Sequence, residues 1–246
     1  MRVVLLAGSF AVLAVPAWRT MQALPRFGHH ALPYGDAINA AAPKQRHVTN
    51  MVSAVNFDYR GVDTLGEETM LLAAVTGTAV LLRGQREGGE RDRLGPPRPH
   101  GGRSEAIVLA SRIAAPFTFL FGLYVALHAM VTPGGGFQGG LVMATALLWV
   151  FLGDGHLAWG RLVRTGWVDA CEGMGVAAYA AAGLGTMLAG GAFLQNVLPR
   201  GALKSMLSGG LMQVLNAAVA LAVVAGFLTL FVEFLKETAG LQGETE

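Results

Sequence analysis

Cysteine is almost absent from this chain: Cys171 stands alone among 246 residues, so the fold has no disulfide framework. Charge is scarce too, and a formal net charge of +2 is too small to indicate nucleic-acid binding. The sequence also lacks the motifs of phosphate-binding loops, dithiol redox sites, zinc proteases and serine hydrolases. We therefore expect no enzymatic activity, no cofactor and no bound metal ion.

Apolar residues are abundant instead. They make up 53% of the chain, and the mean hydropathy is +0.48, which is typical of a membrane protein. Apolar runs recur at residues 3–18, 65–82, 107–131, 137–153, 168–194 and 207–235. They predict an all-α integral membrane protein with about six transmembrane helices. The first run is alternatively a cleavable signal sequence, because it is short and follows a single Arg2.

A charged segment at residues 83–104, rich in glycine and proline, predicts a flexible linker between two modules. Residues 1–82 would form a two-helix module, residues 105–236 a four-helix module and residues 237–246 a polar tail. Within the first module we expect residues 29–43 to be irregular and residues 47–57 to form a short amphipathic helix at the membrane surface. Arginines in the linker favour its placement on the cytoplasmic side of a multi-pass cell-membrane protein.

A glycine-rich turn separates the third and fourth apolar runs. Proline stops the preceding helix, and the glycines let backbones approach closely, so the pattern predicts a tight membrane hairpin packed against neighbours. The residues of this packing hairpin are Pro133, Gly134, Gly135, Gly136, Phe137, Gln138, Gly139 and Gly140.

Four carboxylates lie just before the second apolar run or within its first positions: Asp58, Asp63, Glu67 and Glu68. One interpretation is that Asp63 or Thr64 caps the helix and Glu67 stabilises its first turns. The other is that Glu67 or Glu68 enters the membrane and relays a proton or a cation, since intramembrane carboxylates usually face a polar pathway or a partner charge. Adjacent residues point about 100° apart on a helix, so at most one of the two faces such a pathway.

Two further titratable residues lie in the second module. His128 is expected at the end of the third helix, close to the hairpin, where a packing role competes with proton transfer. Glu172 is expected near the start of the fifth helix, where the helix dipole accounts for it and a role in an ion path is the alternative.

The segment at residues 55–82 resembles the C-terminal region of the large subunit of Mrp-type multisubunit Na+/H+ antiporters. That region carries a D-x-R-G-x-D-T-x-G-E pattern, which is matched here by Asp58, Arg60, Gly61, Asp63, Thr64, Gly66 and Glu67. The resemblance implies that Glu67, rather than Glu68, is the membrane glutamate of interest, with Asp63 and Arg60 at the mouth of its path.

The second module resembles the MnhB subunit of the same antiporters. The glycine-rich turn matches the PGGGF-x-G-G motif of that family, and residues 172–175, 191–199 and 208–216 resemble it as well. The resemblance implies transport of Na+ against H+, and partners among the other hydrophobic Mrp-type subunits in a lipid bilayer, with no role for nucleic acid.

Three functional hypotheses follow. The chain is a membrane subunit that contributes to the proton or cation path of an antiporter. Alternatively, it is a purely structural or assembly subunit, as its glycine-rich helix faces allow. A third possibility is an Mrp-like membrane subunit of an energy-converting hydrogenase complex.

Overall fold

The computed structural model describes residues 2–24, 33–84, 104–162 and 165–243, and all regular structure in these ranges is helical. The expectation of an all-α membrane protein is confirmed. The linker expected at residues 83–104 lies almost wholly outside the described residues, which resume at Ser104. The helices are α1 (Arg2–Ala23), α2 (Pro33–Arg46), α3 (Met51–Ala54), which continues as a π-helical turn (Val55–Tyr59), α4 (Gly61–Gly84), α5 (Glu105–Leu127), α6 (Gly136–Leu162), α7 (Thr165–Leu188) and α8 (Leu211–Gly243).

The chain divides into two compact units, Met1–Ala37 and Ile38–Glu246. The first contains α1, in which the hydroxyl of Thr20 donates to the carbonyl of Pro16 at 2.9 Å. The boundary falls within α2, and the second unit contains α3 to α8, in which α4 packs against α7 and α8. The separation of the first 82 residues as a module of their own stays a prediction from the sequence.

Among the described residues, four helical segments are long and apolar enough to cross a membrane: Gly61–Leu82, Glu105–Leu127, Gly136–Gly153 and Leu211–Leu235. They correspond to four of the six apolar runs. Helix α7, which contains Asp169, Glu172 and many alanines and glycines, is not in this set.

Three local expectations need correction. Residues 33–46 form α2, with Pro33 at the first position and Lys44 and Arg46 in the last turn, so the irregular segment expected up to residue 43 is wrong there. The short helix expected at residues 47–57 begins at Met51, where Asn50 caps it. Helix α8 continues to Gly243, so most of the expected polar tail is helical.

Helix α8 lies at the centre of the second unit, packed against α4, α6 and α7. Its apolar residues are distributed around its whole circumference, as a helix surrounded by protein requires. The main hydrophobic cluster joins α8 to α7, to α2 and to the turns before α3 and α6. Its fully buried residues include Val48, Met130, Tyr179, Met212, Leu215 and Val223.

Helices α5 and α6 form a hairpin whose backbones are in close contact. A Cβ atom on Gly139 would lie 2.6 Å from the carbonyl oxygen of Gly122, so no larger residue fits without separating the helices. Between them, Gly134 has a φ of +134°, a conformation that other residues rarely adopt. The glycine-rich turn therefore fixes both the reversal of the chain and the spacing of the two helices.

Candidate functional site

Two asparagine side chains hold the glycine-rich turn from outside the hairpin. Asn50 Nδ2 donates at 2.8–3.2 Å to three carbonyls of the turn, those of Ala129, Thr132 and Gly134. On α8, Asn216 Oδ1 accepts from the backbone N–H of Gly136 at 2.6 Å, and its Nδ2 donates to the carbonyl of Ala126 at 2.9 Å. The polar backbone of the turn is thus paired inside the protein, as its expected depth in the bilayer requires.

Asp58 belongs to a buried polar network. Its side chain is 6% exposed; Oδ1 accepts from Arg46 Nε at 2.6 Å and Oδ2 accepts from Asn196 Nδ2 at 3.0 Å. Asn196 also accepts from the backbone N–H of Leu211 at 3.0 Å, at the start of α8. Asp58 therefore connects α2 to the loop before α8, which positions the π-helical turn and the start of α4.

Arg60 and Asp63 form an ion pair with each other at the surface, one turn apart, with side chains 60% and 49% exposed. Helix α4 begins at Gly61, and the hydroxyl of Thr64 donates to the carbonyl of Asn56 at 2.7 Å. Thr64 therefore does not cap the helix, and its hydrogen bond instead fixes the entry of the chain into α4.

The two aspartates give a matched pair of variants. Asp58→Asn removes the charge that two donors share, and we expect it to lower the stability by about 2 kcal/mol. Asp63→Asn removes one partner of an exposed ion pair and should cost less than about 1 kcal/mol. Thermal unfolding of the detergent-solubilised protein measures both. Equal shifts in the two variants would contradict the structural role assigned to Asp58.

Glu67 lies on the outer side of α4 and is exposed in this chain. It borders a cavity of about 350 Å³ between α4 and the glycine-rich turn. The cavity wall includes Ser53, Asn56, Thr64 and Gln138, all polar, opposite the apolar Phe137 and Met70. The structure therefore brings the motif glutamate and the packing hairpin, predicted from separate parts of the sequence, to one cavity.

The residue pattern alone did not decide how Glu67 and Glu68 are oriented. In the structure, Glu68 is the buried glutamate of the two. It is 1% exposed, and neither carboxylate oxygen has a hydrogen-bond partner among the described residues. It lies on the face of α4 that carries Gly61, Thr64 and Val75 and packs into the bundle. The two adjacent side chains therefore point in different directions: Glu67 borders the cavity, and Glu68 lies in the core.

Glu172 does not lie in the first turn of α7, as the dipole explanation needs, because that helix already begins at Thr165. It is 4% exposed, and its Oε1 has no hydrogen-bond partner among the described residues.

His128 lies at the end of α5, with its Nδ1 3.0 Å from the carbonyl of Tyr124 and its ring stacked on the ring of that tyrosine. The histidine therefore has a local packing role at the helix end.

Reasoning from the sequence missed three asparagines that organise the site: Asn50, Asn196 and Asn216. Two signals could have found them. Asn50 precedes a short apolar repeat, as a helix cap does, and Asn216 interrupts a long apolar run, where an amide needs a partner inside the protein. Asn196 lies in a loop, and its partners are distant in sequence, so no local pattern identifies it.

A helical membrane bundle with carboxylates at depth, next to a glycine-rich hairpin, defines a class of polytopic membrane subunits that handle ions. Within this class, residues 106–229 match the family described as a domain related to the MnhB subunit of the Na+/H+ antiporter, which is half of the chain. The chain therefore belongs to that family, which confirms the similarity to the MnhB subunit. The similarity of residues 55–82 to the large antiporter subunit stays a prediction.

A relative and solved structures are similar to this chain over more residues than the family match covers. An uncharacterized protein of Methanocaldococcus jannaschii is 29% identical over 202 residues, which cover 74% of this chain and 75% of the relative. A chain of the membrane-bound sulfane sulfur reductase, an archaeal respiratory membrane complex, superposes with a TM-score of 0.73 at 26% identity, covering 96% of this chain and 99% of that one.

The Mrp complex from Dietzia sp. contains a chain that superposes with a TM-score of 0.70 at 21% identity. The match covers 94% of this chain but 25% of that one, so this protein spans a quarter of the length of that chain. At this identity the likeness is one of fold. Both solved neighbours are chains of membrane complexes.

Proposed function

We propose that this chain is a membrane subunit of a multisubunit monovalent cation/proton antiporter, in which it contributes to a proton or cation path and to assembly. Na+ is the cation that the family name suggests. The partners in this proposal are other hydrophobic Mrp-type subunits in the cell membrane, and the chain performs no catalytic step of its own.

The observation that carries the proposal is the position of Glu67. A carboxylate on a membrane-spanning helix is costly unless it faces water or a compensating group, and this one faces a cavity with a partly polar wall. The cavity has room for several water molecules, since each occupies about 30 Å³ in the liquid. Asp63, Arg60 and Asp58 lie on the same side of the membrane as the start of α4, so charged groups surround the entrance.

Glu67→Gln in the assembled complex tests this proposal. The substitution keeps the shape and removes the titratable group, so Na+/H+ exchange should fall by about tenfold or more, which corresponds to about 1.4 kcal/mol in the barrier. Exchange is measured with a pH-sensitive dye in proteoliposomes that contain the purified complex. Glu105→Gln, at the exposed start of α5, is the control and should leave exchange unchanged.

Wild-type exchange by a normally assembled Glu67→Gln complex would refute an ion path at Glu67 and favour the structural role. The tight glycine contacts between α5, α6 and α8 support that alternative, because close packing is what drives association within lipid.

A second function is favoured by the extent of the structural match. This chain covers nearly all of a chain in a respiratory membrane complex but a quarter of a chain in the Mrp complex. We therefore also consider a membrane subunit of an energy-converting redox complex that includes antiporter-like modules. Purifying the native complex and identifying its subunits by mass spectrometry separates the two, because only the redox complex brings subunits with metal or iron–sulfur sites.

A further inference from the structure

A second pair of carboxylates, on the inner side of α4, is used by none of the functions above. On α4, the buried positions Gly61, Thr64, Glu68 and Val75 recur at helical spacing and form one face. That face packs against α7 and α8. Glu68 lies in the middle of this interface, and both of its oxygens lack a hydrogen-bond donor among the described residues.

Glu172 occupies the same interface from the side of α7. A Cβ atom placed on Gly226 of α8 would lie 3.2 Å from Glu172 Oε1 and 3.4 Å from Val75 Cγ2. The carboxyl group of Glu172 therefore lies where α4, α7 and α8 meet. A glycine opposite it leaves the space that the carboxyl group fills.

Helices α4 and α7 run antiparallel, and this arrangement sets the depth of Glu68 and of Glu172 in the bundle. Near one end of the interface the hydroxyl of Tyr179 donates to the carbonyl of Gly61 at 2.8 Å, whereas further along Val75 lies beside Glu172. Glu68 is seven residues from both Gly61 and Val75, about two turns of α4 in each direction, so it lies between these two contacts. Glu68 and Glu172 each lie seven residues from the start of their helix, about 10 Å in from opposite sides of the bundle.

A third carboxylate continues the series. Asp169 lies one turn before Glu172 on α7, interacts with it electrostatically, and accepts a hydrogen bond from the hydroxyl of Thr229 on α8 at 3.3 Å. The acidic groups thus follow one another across the bundle, from Glu68 through Glu172 to Asp169.

Glu68 and Glu172 cannot both be ionised at the same time in this environment, because the free-energy cost would be too high. Transfer of one carboxylate out of water costs several kcal/mol after relaxation, and a second negative charge nearby adds repulsion. Burial and the shortage of donors therefore favour a state in which at least one of the two carboxyl groups is protonated.

We propose that Glu68 and Glu172 form a proton-carrying pair that passes protons through the middle of the membrane along the α4–α7–α8 interface, towards Asp169. Because no oxygen of Glu68 lies within hydrogen-bonding distance of Glu172, the proposal includes a water molecule between the two groups. In each transfer the O–H bond of one carboxyl group breaks as its proton passes to the water, and the water gives one of its own protons to the other carboxylate, so the pair retains one proton and one negative charge. This inference rests on the proposed function, and it places a path inside this chain, separate from the cavity at Glu67.

The test uses the assembled complex with Glu68→Gln, Glu172→Gln and the double variant. Each single change should reduce Na+/H+ exchange by about tenfold or more, and the double variant should be no worse than the singles, because both interrupt one path. The conservative Glu68→Asp should retain part of the exchange. Infrared difference spectra should show the carbonyl stretch of a protonated carboxylic acid in the wild type and its loss in the double variant.

The outcomes separate this inference from the proposed function. A double variant that exchanges ions like the wild type, while Glu67→Gln does not, overturns the proton-carrying pair and leaves the proposed function intact. A wild-type complex without exchange refutes both. Failure of the glutamine variants to assemble also overturns the pair, because a neutral carboxyl group should tolerate replacement by an amide of the same shape.

Discussion

Replacing Gly136 with alanine is expected to prevent the α6–α8 interface from forming. The added methyl group would overlap the carbonyl oxygen of Asn216 and lie 2.8 Å from the backbone nitrogen of Ala220. Both are backbone atoms of α8, so no change of side-chain conformation relieves the overlap. Separating the helices also weakens the 2.6 Å hydrogen bond from Gly136 N to Asn216 Oδ1.

We expect Gly136→Ala to cost about 3 kcal/mol or more, since overpacking costs about 1–3 kcal/mol and the hydrogen bond contributes about 1 kcal/mol. The yield of monodisperse protein in detergent and its thermal unfolding midpoint measure the effect. Gly185→Ala is the matched control, because nothing lies within 4 Å of a Cβ atom there and alanine favours a helix by about 1 kcal/mol. Similar midpoints for the two variants would contradict the close approach of α6 to α8.

The hairpin illustrates what the sequence could predict. Proline followed by three glycines between two apolar runs predicts a reversal, and the structure has one between Leu127 and Gly136. Composition and the recurrence of apolar runs predict the helical membrane class in the same way. These signals are local, because chain reversal and burial in lipid depend on the residues of the segment itself.

Glu67 and Glu68 illustrate what the local sequence cannot predict, namely which side of a helix is buried. Glu67 and Glu68 are chemically identical neighbours, and only the placement of α7 and α8 decides that Glu68 is buried and that Glu67 borders the cavity. The same holds for Glu233, which lies near the end of the last apolar run and is 0% exposed within the bundle. The orientation of a helix about its axis is set by its partners, which no single apolar run encodes.

Helix α2 was missed for a different reason. Its composition is polar and includes two prolines, Pro33 and Pro43, which normally indicate irregular structure. Pro33 lies at the first helical position, where no hydrogen bond is lost. Lys44 and Arg46 stabilise the last turn, and Arg46 also binds Asp58, so a contact distant in sequence stabilises a helix that local preferences disfavour.

Asn50→Asp is expected to destabilise the protein more than Asn50→Ala, although it changes the side chain least. Asn50 is 6% exposed, and its Nδ2 faces three carbonyl oxygens of the glycine-rich turn. Its Oδ1 accepts from the backbone N–H groups of Val52 and Ser53, which caps α3. Alanine removes the donor and the cap, at about 3 kcal/mol in total.

Aspartate keeps the cap but directs a carboxylate oxygen at the carbonyls of Ala129, Thr132 and Gly134. These groups all carry negative partial charge, so the variant exchanges three favourable contacts for repulsion at a buried site, and we expect a cost above about 4 kcal/mol. Thermal unfolding in detergent at neutral pH ranks the variants, and acidification should narrow the gap, because a protonated aspartate regains a donor. If aspartate were the milder change, the cap of α3 would be the main role of Asn50, and the turn would be held by Asn216 and its own glycines.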